Sequence, residues 1–133
     1  MKRAIDILLK AILSLILLLP VVGLTGLMPP PTQDLYNTPE AFRFIETLNE
    51  IRYVSIIMAG VHVVALVCLW TRRTALAALL ILPITVNVVG FHAFLDGGLL
   101  TAGAMLGNVM LLINACFLWQ NRREYAPLVA RTS

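Results

Sequence analysis

The chain has 133 residues, of which 59% are apolar and only 13% are charged. Soluble domains carry about 45–50% apolar and about 25% charged residues, and a small soluble fold has too little interior to bury so large an apolar excess. The composition argues against a soluble enzyme, a nucleic-acid-binding domain and a disordered chain, and it predicts one integral membrane domain covering residues 1–133. In such a protein the net charge of +3 reflects how basic residues are distributed among the loops.

Four apolar segments predict four membrane-spanning helices, at about 8–27, 54–70, 75–94 and 99–119. Each is close to the ~20 residues that cross a bilayer as a helix. The basic residues before the first segment also fit a signal peptide, but that segment is long and lacks a clear cleavage site, so we expect it to be retained. The short connections around residues 71–74 and 96–98 join antiparallel neighbours and predict an all-α, up-down transmembrane bundle.

The charged residues predict the orientation of these spans. With the N-terminus in the cytoplasm, eight of the ten basic residues and two of the seven acidic residues fall on the cytoplasmic side. Basic residues in short loops mark the cytoplasmic face of a membrane protein. We therefore expect a multi-pass protein of a bacterial inner (cytoplasmic) membrane with both termini in the cytoplasm.

The first external connection, between spans one and two, is the only long one. It begins with three consecutive prolines, which cannot continue a helix. Thr38, Pro39 and Glu40 then form a helix-start signal. Apolar residues at helical spacing follow and predict an amphipathic external helix at about 39–50 that covers the bundle. An extension of the second span is the alternative.

Polar residues within a span are costly and are functional candidates. A helical rise of ~1.5 Å per residue places most of them in the outer half of the bundle. His92 and Asp96 are four residues apart, so the carboxylate can hold the imidazole in a fixed orientation. The candidate ligand-binding residues, including two aromatic residues as apolar wall, are His62, Asn87, His92, Asp96, Asn108, Phe91 and Phe94.

Each candidate also has a purely structural interpretation. Gly103 and Gly107 form a small-xxx-small pair that lets helices approach closely, and Asn114 fits an interhelical hydrogen bond. Asn108 fits such a bond as well, and His92 with Asp96 fits a helix cap. His62, in mid-span and with no acid nearby in sequence, is the hardest to assign to packing alone.

Several chemistries fit the sequence poorly. His62 and His92 differ by about 13 Å in depth by the helical rise, so a haem held by both is not expected. Cys68 and Cys116 lack a C-x-x-C spacing, and no carboxylate lies at mid-depth to drive a proton-coupled exporter. We predict no metal site and assign no catalytic residues; the sequence leaves enzyme activity open but favours a chain that is not an enzyme on its own.

The third span carries a family resemblance. The segment at 79–87 ends in Pro83-Ile84-Thr85-Val86-Asn87, and Phe91-His92-Ala93-Phe94-Leu95-Asp96 follows. Together with Pro39-Glu40-Ala41-Phe42, Tyr53 and the tail at 122–128, it resembles the DoxX-like family of small four-helix bacterial membrane proteins over residues 39–128. Many relatives carry a glutamate where this chain has His62, which puts a carboxylate-based role at that position in doubt.

The resemblance implies a link to membrane redox systems, since some members are tied to thiosulfate:quinone oxidoreduction or to oxidative-stress complexes. We therefore expect an accessory or quinone-associated subunit with a polar pocket in the outer half of the bundle. The expected partners are the lipid bilayer and a quinone or a redox protein of the membrane. The sequence is compatible with an oligomer, and we expect no binding to nucleic acid. The alternatives are a small carrier for a lipophilic or protonatable solute and a structural partner that docks another helix.

Overall fold

All regular structure in the computed structural model is helical, which confirms the predicted all-α class for the described residues, 2–130. Arg131, one of the basic residues assigned to the cytoplasmic side, lies outside them. A 3-10 turn covers Gln33–Leu35. The α-helices are α1 (Lys2–Leu24), α2 (Pro39–Ile51), α3 (Tyr53–Trp70), α4 (Thr74–Phe94), α5 (Ala104–Gln120) and α6 (Arg122–Val129).

Three of these helices, α1, α3 and α4, are long and apolar enough to cross a membrane. The chain is therefore a membrane protein by the length and composition of its helices. The apolar helix α5 has 17 residues and reaches about 26 Å at 1.5 Å per residue, slightly less than the ~30 Å hydrocarbon core.

The fourth span was predicted to begin at residue 99, but residues 99–103 form turns and α5 begins at Ala104. Gly97 and Gly98 have positive φ angles of 82° and 110°, a conformation that suits glycine. The Thr101 hydroxyl then accepts a hydrogen bond from the Ala104 amide (3.3 Å), as an N-capping side chain does. The apolar Leu99 and Leu100 concealed this helix start.

The first predicted span is also displaced, since α1 ends at Leu24 instead of residue 27. The Thr25 hydroxyl donates to the Val22 carbonyl (2.6 Å), and Gly26 follows with a φ of 77°. A residue with positive φ just past the last turn ends a helix. At the other end, Lys10 pairs with Asp6 (3.1 Å), so the helix continues through both charged residues.

The helices α2 and α3 are separate, so the alternative of one extended second span is wrong. Arg52 stands between them with a φ of 54°, which interrupts the helical path. At its start, α2 has the predicted signal: the Thr38 hydroxyl accepts a hydrogen bond from the Ala41 amide (3.1 Å), and Pro39 occupies the first position.

The long helices pack in the order α1, α3, α4, α5, with α1 also touching α5. Their shared core combines small residues (Ala65, Ala77, Ala78), which let backbones approach, with larger ones such as Leu13, Ile81 and Phe117.

The position of α1 along the bundle decides where the candidate site lies. Trp70 Nε1, at the last residue of α3, donates to Ser14 Oγ in the middle of α1 (3.0 Å). Since α1 ends only ten residues later, it stops short of the first turns of α3. That end of α3 and α4 is covered by the segment before α2 and by α2 itself.

Candidate functional site

A cavity of about 760 Å³ lies between α2, α3 and α4, at the end of the bundle that α1 does not reach. We call it the main cavity. Its wall is mostly apolar and includes Leu48 of α2, Met58 and Val61 of α3, and Ile84 and Val88 of α4. The polar side chains that line it are Tyr36, Tyr53, Asn87, His92 and Asp96. An apolar cavity with a few convergent polar groups is the usual form of a small-molecule site.

Asp96 holds the segment before α2 against the end of α4. Its side chain is fully buried, and its Oδ1 accepts a hydrogen bond from the Asn37 amide (2.7 Å). The Asn37 side chain donates to the Asp96 carbonyl (3.1 Å), and the Thr38 hydroxyl donates to the Leu95 carbonyl. We call these four residues, Asn37, Thr38, Leu95 and Asp96, the loop anchor.

The loop anchor places Tyr36 over the main cavity. Tyr36 packs edge-on against Phe91, with ring centroids 6.2 Å apart, and also contacts Phe42 (6.0 Å). Burial, and secondly the negative charge of Asp96, raise the pKa of the Tyr36 phenol above its ordinary value. The hydroxyl therefore stays protonated and can donate a hydrogen bond to a molecule in the cavity.

His92 is held on two sides. Its Nδ1 lies 2.8 Å from Asp96 Oδ2, so the acceptor-only carboxylate favours a proton on Nδ1 and leaves Nε2 as a hydrogen-bond acceptor. The ring packs against two glycines of the neighbouring segment: a Cβ on Gly103 would lie 3.3 Å from His92 Cε1, and one on Gly107 would lie 3.8 Å from Cδ2. The small-xxx-small pair therefore makes room for this imidazole.

Asn87 borders the main cavity on α4. Its side chain makes no hydrogen bond within the part of the chain that the structure describes, although it lies in a helix fit to cross a membrane. An amide in that setting has both donor and acceptor capacity to offer a bound molecule.

The structure brings together four of the predicted ligand-binding residues: Asn87, Phe91, His92 and Asp96 all line the main cavity. Phe94 lies outside it, 88% exposed, and lines a neighbouring depression. Asn108 donates to the Leu99 carbonyl (2.7 Å) and so stabilises the turn before α5. His62 is also absent from the cavity wall.

His62 faces the bundle interior. It is 3% exposed, and neither ring nitrogen has a hydrogen-bond partner. An unsatisfied buried polar group of this kind is unusual in folded proteins.

Asn114, predicted as a packing residue, lies in the contact between α4 and α5. It is fully buried, and its amide donates to the Thr85 hydroxyl (3.3 Å), which in turn donates to the Ile81 carbonyl (2.9 Å). Gly107 lies in the same contact, where a Cβ would come 3.0 Å from Val88 Cγ1. These residues fit α4 closely against α5.

Sequence reasoning missed Tyr36 and Asn37 as parts of the site. Both precede the recognised helix start at Thr38, so their position beside the first turn of α2 was visible. Their contact with Asp96, 59 residues away from Asn37, has no local sequence signal.

Among the residues that the structure describes, no cluster of three or more His, Cys, Asp or Glu side chains has the arrangement of a metal site. Cys68 and Cys116 are free thiols. No protein-family model, curated protein or solved structure matches the chain.

Proposed function

We propose that this chain is a four-helix protein of a bacterial inner membrane that binds a quinone, or a similar lipophilic ring with polar substituents, in the main cavity. In this role it is an accessory subunit of a membrane redox system. The observation that carries the proposal is the main cavity itself, an apolar space of about 760 Å³ bordered by Tyr36, Asn87 and His92. The DoxX-like resemblance of residues 39–128 supports the same role.

The three polar groups suit both redox forms of a quinone. The carbonyls of the oxidised ring accept hydrogen bonds, which the Tyr36 hydroxyl and the Asn87 amide can donate. The hydroxyls of the reduced ring donate, and His92 Nε2 accepts when Nδ1 carries its proton toward Asp96. Asp96 acts through His92 as a positioning residue, because its own oxygens are occupied by His92 and Asn37.

The proposed membrane placement includes α5 as a fourth span and puts both termini in the cytoplasm. Arg72 and Arg73, in the α3–α4 turn, then lie on the cytoplasmic side, and the main cavity lies in the outer half of the bilayer. Single cysteines introduced in a background lacking Cys68 and Cys116 test this arrangement. We expect an impermeant thiol reagent to label Glu46→Cys in intact cells and to label Arg72→Cys only after the cells are opened; the reverse pattern would contradict the orientation.

A carrier for a lipophilic solute is the second candidate function. The loop anchor favours it, because a cover held by a few hydrogen bonds can separate from the cavity and close again. A helix-docking role has less support, since Gly103 and Gly107 are used against α4 of the same chain. Transport of a quinone analogue between two membrane populations by reconstituted protein would favour the carrier, whereas saturable binding without transport favours the accessory subunit.

The binding proposal is tested with a water-soluble benzoquinone probe and protein reconstituted in lipid nanodiscs. Asn87→Leu removes a hydrogen-bonding group without removing any bond within the described chain. We expect it to weaken binding roughly tenfold, as the loss of one hydrogen bond in an apolar site does. Asn49→Leu is the matched control, because Asn49 is exposed on α2 and does not line the cavity.

Equal affinities for Asn87→Leu and the wild-type protein would remove Asn87 from the site. Absence of saturable binding to the wild-type protein itself would overturn the proposal.

A further inference from the structure

A second concavity adjoins the main cavity on the surface of α4. This depression, of about 370 Å³, is lined by seven residues: Phe44, Val86, Asn87, Gly90, Phe91, Phe94 and Leu95. Asn87 is its only polar side chain. We call it the side depression.

The two concavities share part of their walls. Phe44, Asn87 and Phe91 line both of them, and the rings of Phe44 and Phe91 contact each other with centroids 5.7 Å apart. A molecule whose polar head lies in the main cavity beside Asn87 therefore needs to pass only this aromatic pair to extend into the side depression.

The far side of the depression faces outward. Phe94 is 88% exposed and Val86 is 56% exposed, on a helix that is apolar and long enough to cross a membrane. In a bilayer Val86 would face lipid, and Phe94, as the last residue of α4, would lie near the membrane surface. Gly90 gives the depression its depth, since a Cβ built on it would meet no atom within 4 Å.

We propose that the side depression binds the apolar tail of the same ligand whose head occupies the main cavity. The ligand class is thus a membrane amphiphile with a compact polar ring and a long hydrocarbon chain, which reaches the site sideways from the bilayer. This inference rests on the proposed function and adds to it the tail site and the direction of access.

Two probes separate the tail site from the head site: a benzoquinone without a chain, and the same ring with a ten-carbon chain. The quantity measured is the ratio of their affinities in nanodiscs for each protein variant. Gly90→Leu fills the side depression, and Gly60→Leu is the control, because Gly60 also has open space around it and lines neither concavity. Comparing two leucine variants in the same lipid cancels partition of the chain into the bilayer.

We expect the chain to increase affinity at least roughly tenfold in the wild-type protein and in Gly60→Leu, a gain that burial of about two methylene groups supplies. In Gly90→Leu the gain should be at least roughly tenfold smaller than in Gly60→Leu, and the chain-free ring should still bind normally. An undiminished gain in Gly90→Leu would overturn the tail site while leaving the proposed function intact. Failure of both probes to bind the wild-type protein would instead overturn the proposed function, and the tail site with it.

Discussion

Asp96 is the residue on which the geometry of the site depends most. Its buried carboxylate orients His92 and accepts the Asn37 amide, so one side chain fixes both a cavity wall and the cover above it. Hydrogen bonds to a charged group contribute more than neutral ones, which explains how the segment before α2 is held against the end of α4.

Loss of this carboxylate should release the cover. In Asp96→Ala we expect the Asn37 amide to exchange with solvent at least roughly tenfold faster, because a hydrogen bond to a charged group contributes about 1.5–3 kcal/mol. Hydrogen exchange measured by mass spectrometry on the peptide around residues 33–38 checks this. Asp34→Ala is the control, since Asp34 is exposed on the same segment. Unchanged exchange in Asp96→Ala would show that Thr38 and Leu95 suffice to hold the cover.

The two histidines should respond differently to the same substitution. His62→Leu replaces a buried ring with unpartnered nitrogens, so we expect the free energy of unfolding to stay constant or to rise by about 1 kcal/mol. His92→Leu breaks the contact with Asp96 and should lower it. Unfolding of the two variants in the same detergent gives the comparison. A marked loss of stability in His62→Leu would reveal a partner for its ring.

The residue-scale predictions from sequence were correct where the interaction was local. His92 and Asp96 lie one helical turn apart, and their hydrogen bond follows from spacing alone. The contact of Asp96 with Asn37 uses a main-chain amide that a long loop places beside the end of α4. Every residue type except proline has such an amide, so the sequence does not indicate which one will be used. Asn108 was predicted as a ligand-binding or interhelical residue from its position in a span; its hydrogen bond to the Leu99 carbonyl depends on the turn before α5, which the sequence did not reveal.

At the scale of helices, two glycines set the distance between α4 and the segment that begins α5. Gly103 and Gly107 receive the His92 ring and Val88, and without them the two helices would lie further apart. The same close approach brings Asn114 to Thr85.

A methyl group added in this contact should be harmful, whereas one added to a glycine in open space should not. Gly107→Ala places a Cβ 3.0 Å from Val88 Cγ1, and we expect it to cost about 1–3 kcal/mol of stability, as overpacking does. Gly60→Ala meets no atom within 4 Å and should be neutral or stabilising, because alanine favours helix. Unfolding in one detergent compares them.

The double variant Gly107→Ala/Val88→Ala distinguishes overpacking from other effects. We expect it to regain part of the lost stability, because the smaller residue at position 88 makes room for the new methyl group. If Val88→Ala brings no recovery, the contact with Val88 does not account for the effect of Gly107→Ala.

Helix boundaries were predictable only where polar or helix-breaking residues mark them. Thr38 and Pro39 identified the start of α2. The start of α5 was hidden, because Leu99 and Leu100 continue the apolar run through a turn. Thr25 and Gly26 mark the end of α1. The predicted span was extended past them because Leu27 is apolar.

At the scale of the whole molecule, the main cavity exists because α1 does not extend along the full length of α3. The contact between Trp70 and Ser14 fixes this offset, and α2 covers the end that α1 leaves open. No sequence pattern reports the axial position of one helix against another. The sequence therefore predicted a polar pocket in one half of the bundle but not the offset of α1 that leaves the space for it.

The central claim is that a quinone binds in the main cavity. The most direct test is to fill that cavity with a larger side chain. Val61→Phe places a larger side chain in the main cavity; Val63→Phe makes the same change on the same helix at a residue that is 45% exposed and outside the cavity. The measurement is the dissociation constant of the ten-carbon benzoquinone probe for both variants in nanodiscs. We predict binding at least roughly tenfold weaker for Val61→Phe and wild-type affinity for Val63→Phe. Wild-type affinity in both variants would contradict binding in the main cavity.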